Sequence, residues 1–263
     1  MMLEVENLVV RYGHAEPSVK GISLTLDRGQ VLSIVGESGS GKTTVIRAIL
    51  GCLPPNASIA EGDMRFEGQS LKTVPEEEYR RMRGTEMAMI FQDCGSMLDP
   101  IQTAGRQFVE HLQLHGTFTR EEAWAKACNL CTQASLRDPD DILNKYPFEL
   151  SGGQRQRVGI AMGLAFNPKL LLADEPTAAL DVTTQAQVAK ELMSAKERTG
   201  MAIIMVTHNI SMAAHLSDYI IVMQNGEVVE EGNAHDVLHH PQHPYTKSLV
   251  AAVPMIGGAR YVG

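Results

Sequence analysis

The sequence predicts an α/β fold interrupted by a helical insertion, and three observations carry that prediction. Short apolar runs at residues 31–35 and 170–173 have the pattern of strands covered on both faces. A helix-compatible segment follows each, at residues 42–50 and 183–198. Between them, residues 93–166 lose the strand pattern and read as helices joined by loops that carry Gly and Pro.

The elements follow in order. Ile22, Leu24 and Leu26 alternate with Ser23, Thr25 and Asp27, the period of a half-buried strand. The run 31–35, broken only by Ser33, ends at glycine, and the helix after it is expected to stop at Pro54 and Pro55. In the insertion, Thr119 is an N-cap candidate for a helix over 120–135, and Asp138-Pro139 and Tyr146-Pro147 mark loops. From Lys169 the α/β pattern returns, with strands at 170–173 and 201–206 around the helix 183–198. Residues 219–223 and 227–229 flank Asn225-Gly226, which suits the type I′ turn of a hairpin. After Gly232 the tail carries Pro241 and Pro244, then a short helix near 245–253.

Composition narrows the function classes. Hydrophobic residues are 44% and charged residues 21% of 263, the balance of a globular protein rather than a disordered or fibrous one. A net charge of −8 argues against non-specific nucleic-acid binding, which needs phosphate neutralisation. No apolar run approaches the about 20 residues of a membrane span, and the start MMLEVENL is acidic where a signal peptide is basic. The chain is therefore expected in the cytosol unless a partner holds it at a membrane. Cys52, Cys94, Cys128 and Cys131 are expected to be reduced thiols; Cys128 and Cys131 share a helix face and lack a second CxxC to complete a metal site.

Three motifs carry chemistry. Gly36-Glu37-Ser38-Gly39-Ser40-Gly41-Lys42-Thr43 fits GxxxxGK[ST] between a strand and a helix, the context of a phosphate-binding P-loop. Its glycines let backbone N–H groups approach an anion, Lys42 reaches the β/γ-phosphates of a nucleotide and the Thr43 hydroxyl binds Mg²⁺. The apolar run 170–173 ends in Asp174, suited to Mg²⁺, and Glu175, suited to act as general base or to position water. In Leu150-Ser151-Gly152-Gly153-Gln154, Ser151 and Gln154 have capping-box spacing, and the two glycines leave a bare helix start that suits a phosphate. Arg155 and Arg157 then lie where the helix dipole disfavours cations, which points to an anion or an acidic partner surface nearby.

P-loop, LSGGQ and strand-Asp-Glu, in this order, resemble the nucleotide-binding subunit of an ABC transporter across essentially the whole chain. The resemblance implies a P-loop NTPase core with a RecA-like, mixed and mainly parallel sheet. It adds an N-terminal antiparallel β subdomain and an inserted α-helical subdomain. One nucleotide-binding domain would span 1–263, with core at 1–92 and 167–232, helical subdomain at 93–166 and tail at 233–263. By resemblance, Tyr12 stacks on adenine, Gln92 contacts Mg²⁺ or the attacking water, and His208 contacts the γ-phosphate. Thr44 joins the residues that cradle ATP. Asp181, after Ala179-Leu180, resembles the D-loop aspartate, with alanine at 178 and 179 where the family more often has serine.

Two segments narrow the subfamily. His243-Pro244-Tyr245-Thr246 resembles the HPYT segment of ATPases serving oligopeptide, dipeptide and nickel importers. Residues 91–100 resemble their FQDP-x-x-SLNP stretch, with Cys94 in place of proline and Asp99 in place of asparagine. The implied protein hydrolyses ATP with Mg²⁺ at the cytoplasmic face of the membrane. Its implied partners are a second ATP-binding subunit (a homodimer or a heterodimer), two transmembrane permease subunits contacted near residues 92–115, and indirectly a substrate-binding protein. The alternative is a soluble ABC-type ATPase of a non-transport complex, such as phosphonate breakdown. His235 and His239, spaced i, i+4, and the nearby His240 and His243 are either solvated or a metal site.

Overall fold

The computed structural model describes residues 1–177, 182–253, 255–256 and 259–260. In chain order the elements are β1 (Leu3–Tyr12), β2 (Val19–Leu26), β3 (Val31–Val35), α1 (Lys42–Ile49), β4 (Ala57–Phe66), β5 (Gln69–Ser70) and α2 (Glu76–Met82). Then come β6 (Met87–Ile90), α3 (Ala104–His115), α4 (Arg120–Gln133), α5 (Pro139–Asn144), α6 (Gly152–Gly163), β7 (Leu170–Asp174) and α7 (Val182–Thr199). The chain closes with β8 (Ala202–Thr207), α8 (Ile210–Leu216), β9 (Tyr219–Gln224), β10 (Glu227–Asn233), α9 (Ala234–His239), α10 (Pro244–Ala251) and the short pair β11 (Met255–Ile256) and β12 (Ala259–Arg260). Two compact units result: Met1–Tyr79 with Ala202–Gly263, and Arg80–Met201.

The first unit holds an antiparallel sheet in the order β2-β1-β4-β5. Its alternation is the one read from sequence: Ile22, Leu24 and Leu26 are all buried on β2. The same unit holds β10-β9-β3-β8, in which β3 is parallel to both β8 and β9. Every residue of β3 and of β8 is buried, as continuous apolar runs require. The register pairs Val35 with Thr207 and with Val222, so the loops after β3 and β8 leave from one sheet edge. The β9–β10 hairpin turns on Asn225 (φ 52°) and Gly226 (φ 83°), both left-handed as a type I′ turn demands. Helix α1 ends earlier than Pro54 and Pro55 suggest. Gly51 adopts φ 66°, and the Cys52 N–H closes back on the Arg47 carbonyl at 2.9 Å, which terminates the helix first.

In the second unit β6 and β7 are parallel, with Ile90 opposite Ala173, so the chain leaves both strands at the same end. The helices α3 to α6 enclose a core that includes Phe108, Leu112, Ala127, Cys131, Leu143 and Val158. Thr119 and Glu122 form a reciprocal capping box at the start of α4. That helix stops at Gln133, short of 135, because Ser135 turns to φ 56° and the Leu136 N–H bonds the Cys131 carbonyl. This unit is wider than the helical stretch 93–166, since it also takes in β6, β7 and α7. All four cysteines are free thiols. Among the described residues, no helix is long and apolar enough to cross a membrane.

Candidate functional site

The first unit carries Tyr12, the loop Gly36–Thr44 and His208. The loop curls between β3 and α1, and two of its glycines are compelled by their surroundings. A Cβ on Gly36 would lie 2.2 Å from the Met223 carbonyl oxygen, and one on Gly41 would lie 2.5 Å from that of Ser18. Gly41 also has φ 99° and is the N-cap of α1, with no side-chain oxygen folded over the first turn. A helix start without a side-chain cap presents N–H dipoles to an anion. Lys42 is buried, at 4% exposure. Its ammonium donates to the Gly36 carbonyl at 2.8 Å, the Glu37 carbonyl at 2.6 Å and Ser40 Oγ at 3.4 Å. The cation is thus stored inside the loop. Glu37, Ser38 and Gly39 remain exposed at its rim. These groups fit a nucleotide phosphate.

Two flanking residues join this half. The Tyr12 hydroxyl lies 3.1 Å from Thr44 Oγ1, which brings the end of β1 to the first turn of α1. His208 is exposed and directly follows β8, whose last residue pairs with Val35. The Thr207 hydroxyl accepts the Asn209 N–H at 3.0 Å and Asn209 caps α8, so the backbone on both sides of His208 is held.

The second unit carries Gln92, Ser151–Gln154, Asp174 and Glu175. Asp174 is the last residue of β7 and only 7% exposed; Glu175 is half-buried and turns at φ 44°. That left-handed backbone is uncommon for a glutamate, and such strain clusters at functional sites. Gln92 is exposed just beyond β6. Asp181 lies outside the described residues.

The signature segment forms the capping box its spacing predicts: Ser151 Oγ accepts the Gln154 N–H at 3.2 Å and Gln154 Oε1 accepts the Ser151 N–H at 2.8 Å. Gly152 and Gly153 differ from the loop glycines. Among the described residues, a Cβ on either would meet nothing nearer than 4.0 Å and 3.7 Å respectively. Packing against the described residues does not require them, although glycine costs a helix up to about 1 kcal/mol relative to alanine. The arginines correct the expectation of a nearby anion. Arg155 Nη1 donates to the carbonyls of Pro147 and Leu150, and Arg157 donates to the Ser135 carbonyl and Gln187 Oε1. Internal acceptors offset the unfavourable dipole.

Sequence reading missed Gln156. It is 3% exposed and all its bonds go to backbone. Its Oε1 accepts the Cys94 N–H at 3.1 Å, while Nε2 donates to the carbonyls of Phe91 at 3.1 Å and Pro176 at 2.9 Å. One amide therefore ties the chain on both sides of Gln92 and just after Glu175. The available signal was a polar residue on the buried stripe of α6, four positions before Ile160. The tail histidines do not converge on one site. His235 and His239 lie on α9 with ring centroids 4.5 Å apart and planes tilted by 44°, and no group of three metal-type ligands forms among the described residues.

Comparison with known proteins bears on the chain as a whole. Residues 19–178 match the ABC transporter family, and residues 229–261 match the oligopeptide/dipeptide transporter C-terminal region. The probable peptide ABC transporter ATP-binding protein y4tR of Sinorhizobium fredii is 41% identical, over 97% of this chain and 77% of its own. The dipeptide transport ATP-binding protein DppD of Escherichia coli is 41% identical, over 96% of this chain and 78% of its own. The ATP-binding cassette MJ0796, in a dimeric post-hydrolysis state bound to ADP and Pi, superposes with TM-score 0.79 at 32% identity, covering 89% of this chain and 99% of that one.

Proposed function

The chain belongs to the ABC transporter family as an ATP-binding, ATP-hydrolysing subunit, and from that premise we propose that it powers a peptide importer through ATP-driven pairing with a second such subunit. The cargo class rests on the tail: the oligopeptide/dipeptide region matches residues 229–261, and the two relatives described above carry peptide or dipeptide transport in their names. With ATP bound, Lys42 would turn from the Gly36 and Glu37 carbonyls to the β/γ-phosphates; Thr43 in the first unit, and Gln92 and Asp174 in the second, are the side chains suited to Mg²⁺, which would supply neutralising charge. Glu175 would activate the attacking water, His208 would contact the γ-phosphate and Tyr12 would stack on adenine. These assignments follow from the motif order and from the placement of each side chain at a strand end or helix start.

The single observation that carries the pairing is Gly152 with Gly153. Glycines that packing against the described residues leaves unneeded, on a capped helix start, suit the close approach of a phosphate held by another subunit. The dimeric cassette described above is a precedent for that arrangement. We assign the permease contact to exposed apolar side chains of the second unit. Met97, Ile101 and Phe148 are 60%, 81% and 71% exposed, and Tyr146 stacks on Phe148. Exposed large apolar groups of this kind mark interaction sites. On this reading the working subunit sits at the cytoplasmic face of the membrane. The test is uptake of a labelled dipeptide by cells that depend on this chain. Lys42→Ala is expected to abolish uptake, and undiminished uptake would remove the chain from the importer.

A further inference from the structure

The segment His243-Pro244-Tyr245-Thr246 marks the subfamily, yet the ATPase roles above leave it without a task. Its fastening is elaborate. Glu230 of β10 accepts the N–H of Gln242 at 2.7 Å and that of His243 at 2.9 Å. Burial opposes the charge on Glu230, but the groups that face it, these two N–H donors among them, outweigh it and hold the carboxyl below its ordinary pKa. His243 Nδ1 accepts the Tyr245 N–H at 3.2 Å as the N-cap of α10, and Pro244 fills the first helical position. Tyr245 is 8% exposed and packs in one apolar cluster with Val35, Ile210 and Val222. Val35 is the residue just before the phosphate loop. At the end of this chain of contacts, the Tyr245 hydroxyl accepts the Glu37 N–H at 2.8 Å.

The peptide plane between Gly36 and Glu37 is therefore gripped on both edges. Lys42 holds its carbonyl and Tyr245 holds its N–H. A phosphate that draws the Lys42 ammonium away removes one grip and leaves the other. We propose that Tyr245 is a positioning residue for nucleotide binding, and that the HPYT segment is a strap that keeps the entry of the phosphate loop in place when Lys42 turns to the phosphate. The inference deepens the ATP-binding reading and rests on it.

Tyr245→Phe deletes the hydroxyl and keeps the ring, and Glu37→Pro deletes the N–H it holds. ATP is titrated calorimetrically into the wild type, each single variant and the double variant. Tyr245→Phe is expected to weaken ATP binding about three- to tenfold, the effect of one lost hydrogen bond, while kcat at saturating ATP stays within about twofold. In the nucleotide-free protein its Glu37 amide exchanges faster with solvent. In the Glu37→Pro background the same change costs nothing further, because no donor remains. Equal ATP affinity in wild type and Tyr245→Phe overturns the proposal. So does an undiminished loss in the Glu37→Pro background, which marks general loosening of the tail. Glu230→Gln slackens the strap from its other end and is expected to shift affinity in the same direction; unchanged affinity there counts against the proposal even where Tyr245→Phe does not fold. A wild type that binds no ATP fails the nucleotide reading instead, and the exchange of the Glu37 amide still decides the strap.

Discussion

Glu175 stands at φ 44°, a conformation that glutamate adopts only at a cost, directly after the buried Asp174. The strain is consistent with a carboxylate that must face a reacting water. Glu175→Gln is expected to bind ATP as the wild type does and to lose about 10²–10⁴ in turnover, read by phosphate release beside calorimetric binding. Lys42→Ala acts differently. It removes the cation from the phosphate loop and leaves the Gly36 and Glu37 carbonyls without their donor, so ATP affinity itself is expected to fall at least tenfold in a binding titration. Both residues were legible in the sequence because their neighbours along the chain define them. Gln156 and Tyr245 were not. Their partners lie 62 and 208 positions away, and no local pattern encodes such a contact.

At the scale of elements, α6 combines two tasks. Its start is capped by Ser151 and Gln154 yet carries two glycines, and its buried stripe carries the amide of Gln156. Gly153→Ala is expected to leave the melting temperature unchanged or slightly raised, since the added methyl meets Thr184 at an ordinary 3.7 Å and favours the helix. ATP hydrolysis is expected to fall at least tenfold, because the methyl stands where the phosphate of the partner's nucleotide would approach. Gln156→Leu should do the reverse. It strands the Phe91 and Pro176 carbonyls and the Cys94 N–H, and should cost about 3 kcal/mol of stability in urea denaturation. The caps at Thr119 and Ser151 were readable because a capping box is written within four residues. The end of α1 was read to within a residue but for another reason, because Gly51, a local left-handed stop, acts before the prolines that drew attention.

For the whole molecule, the strand runs were visible in sequence but their order was not. Parallel pairing of β3 with β8 and β9 joins segments far apart in the chain, and only that pairing sets the phosphate loop and His208 at one sheet edge. Each compact unit carries part of the ATPase machinery, the phosphate loop in one and the signature segment with Asp174 and Glu175 in the other. The central claim is that the signature glycines serve a nucleotide held by another subunit, so ATP joins two chains. The direct measurement is the mass in solution of Glu175→Gln, which binds ATP without spending it, alone and mixed with its cognate second ATP-binding chain. With ATP and Mg²⁺ the account predicts a doubled mass, as a homodimer or a heterodimer, that reverts when nucleotide is removed and fails to form with Gly153→Ala added. A protein that binds ATP and stays monomeric in both mixtures would contradict it.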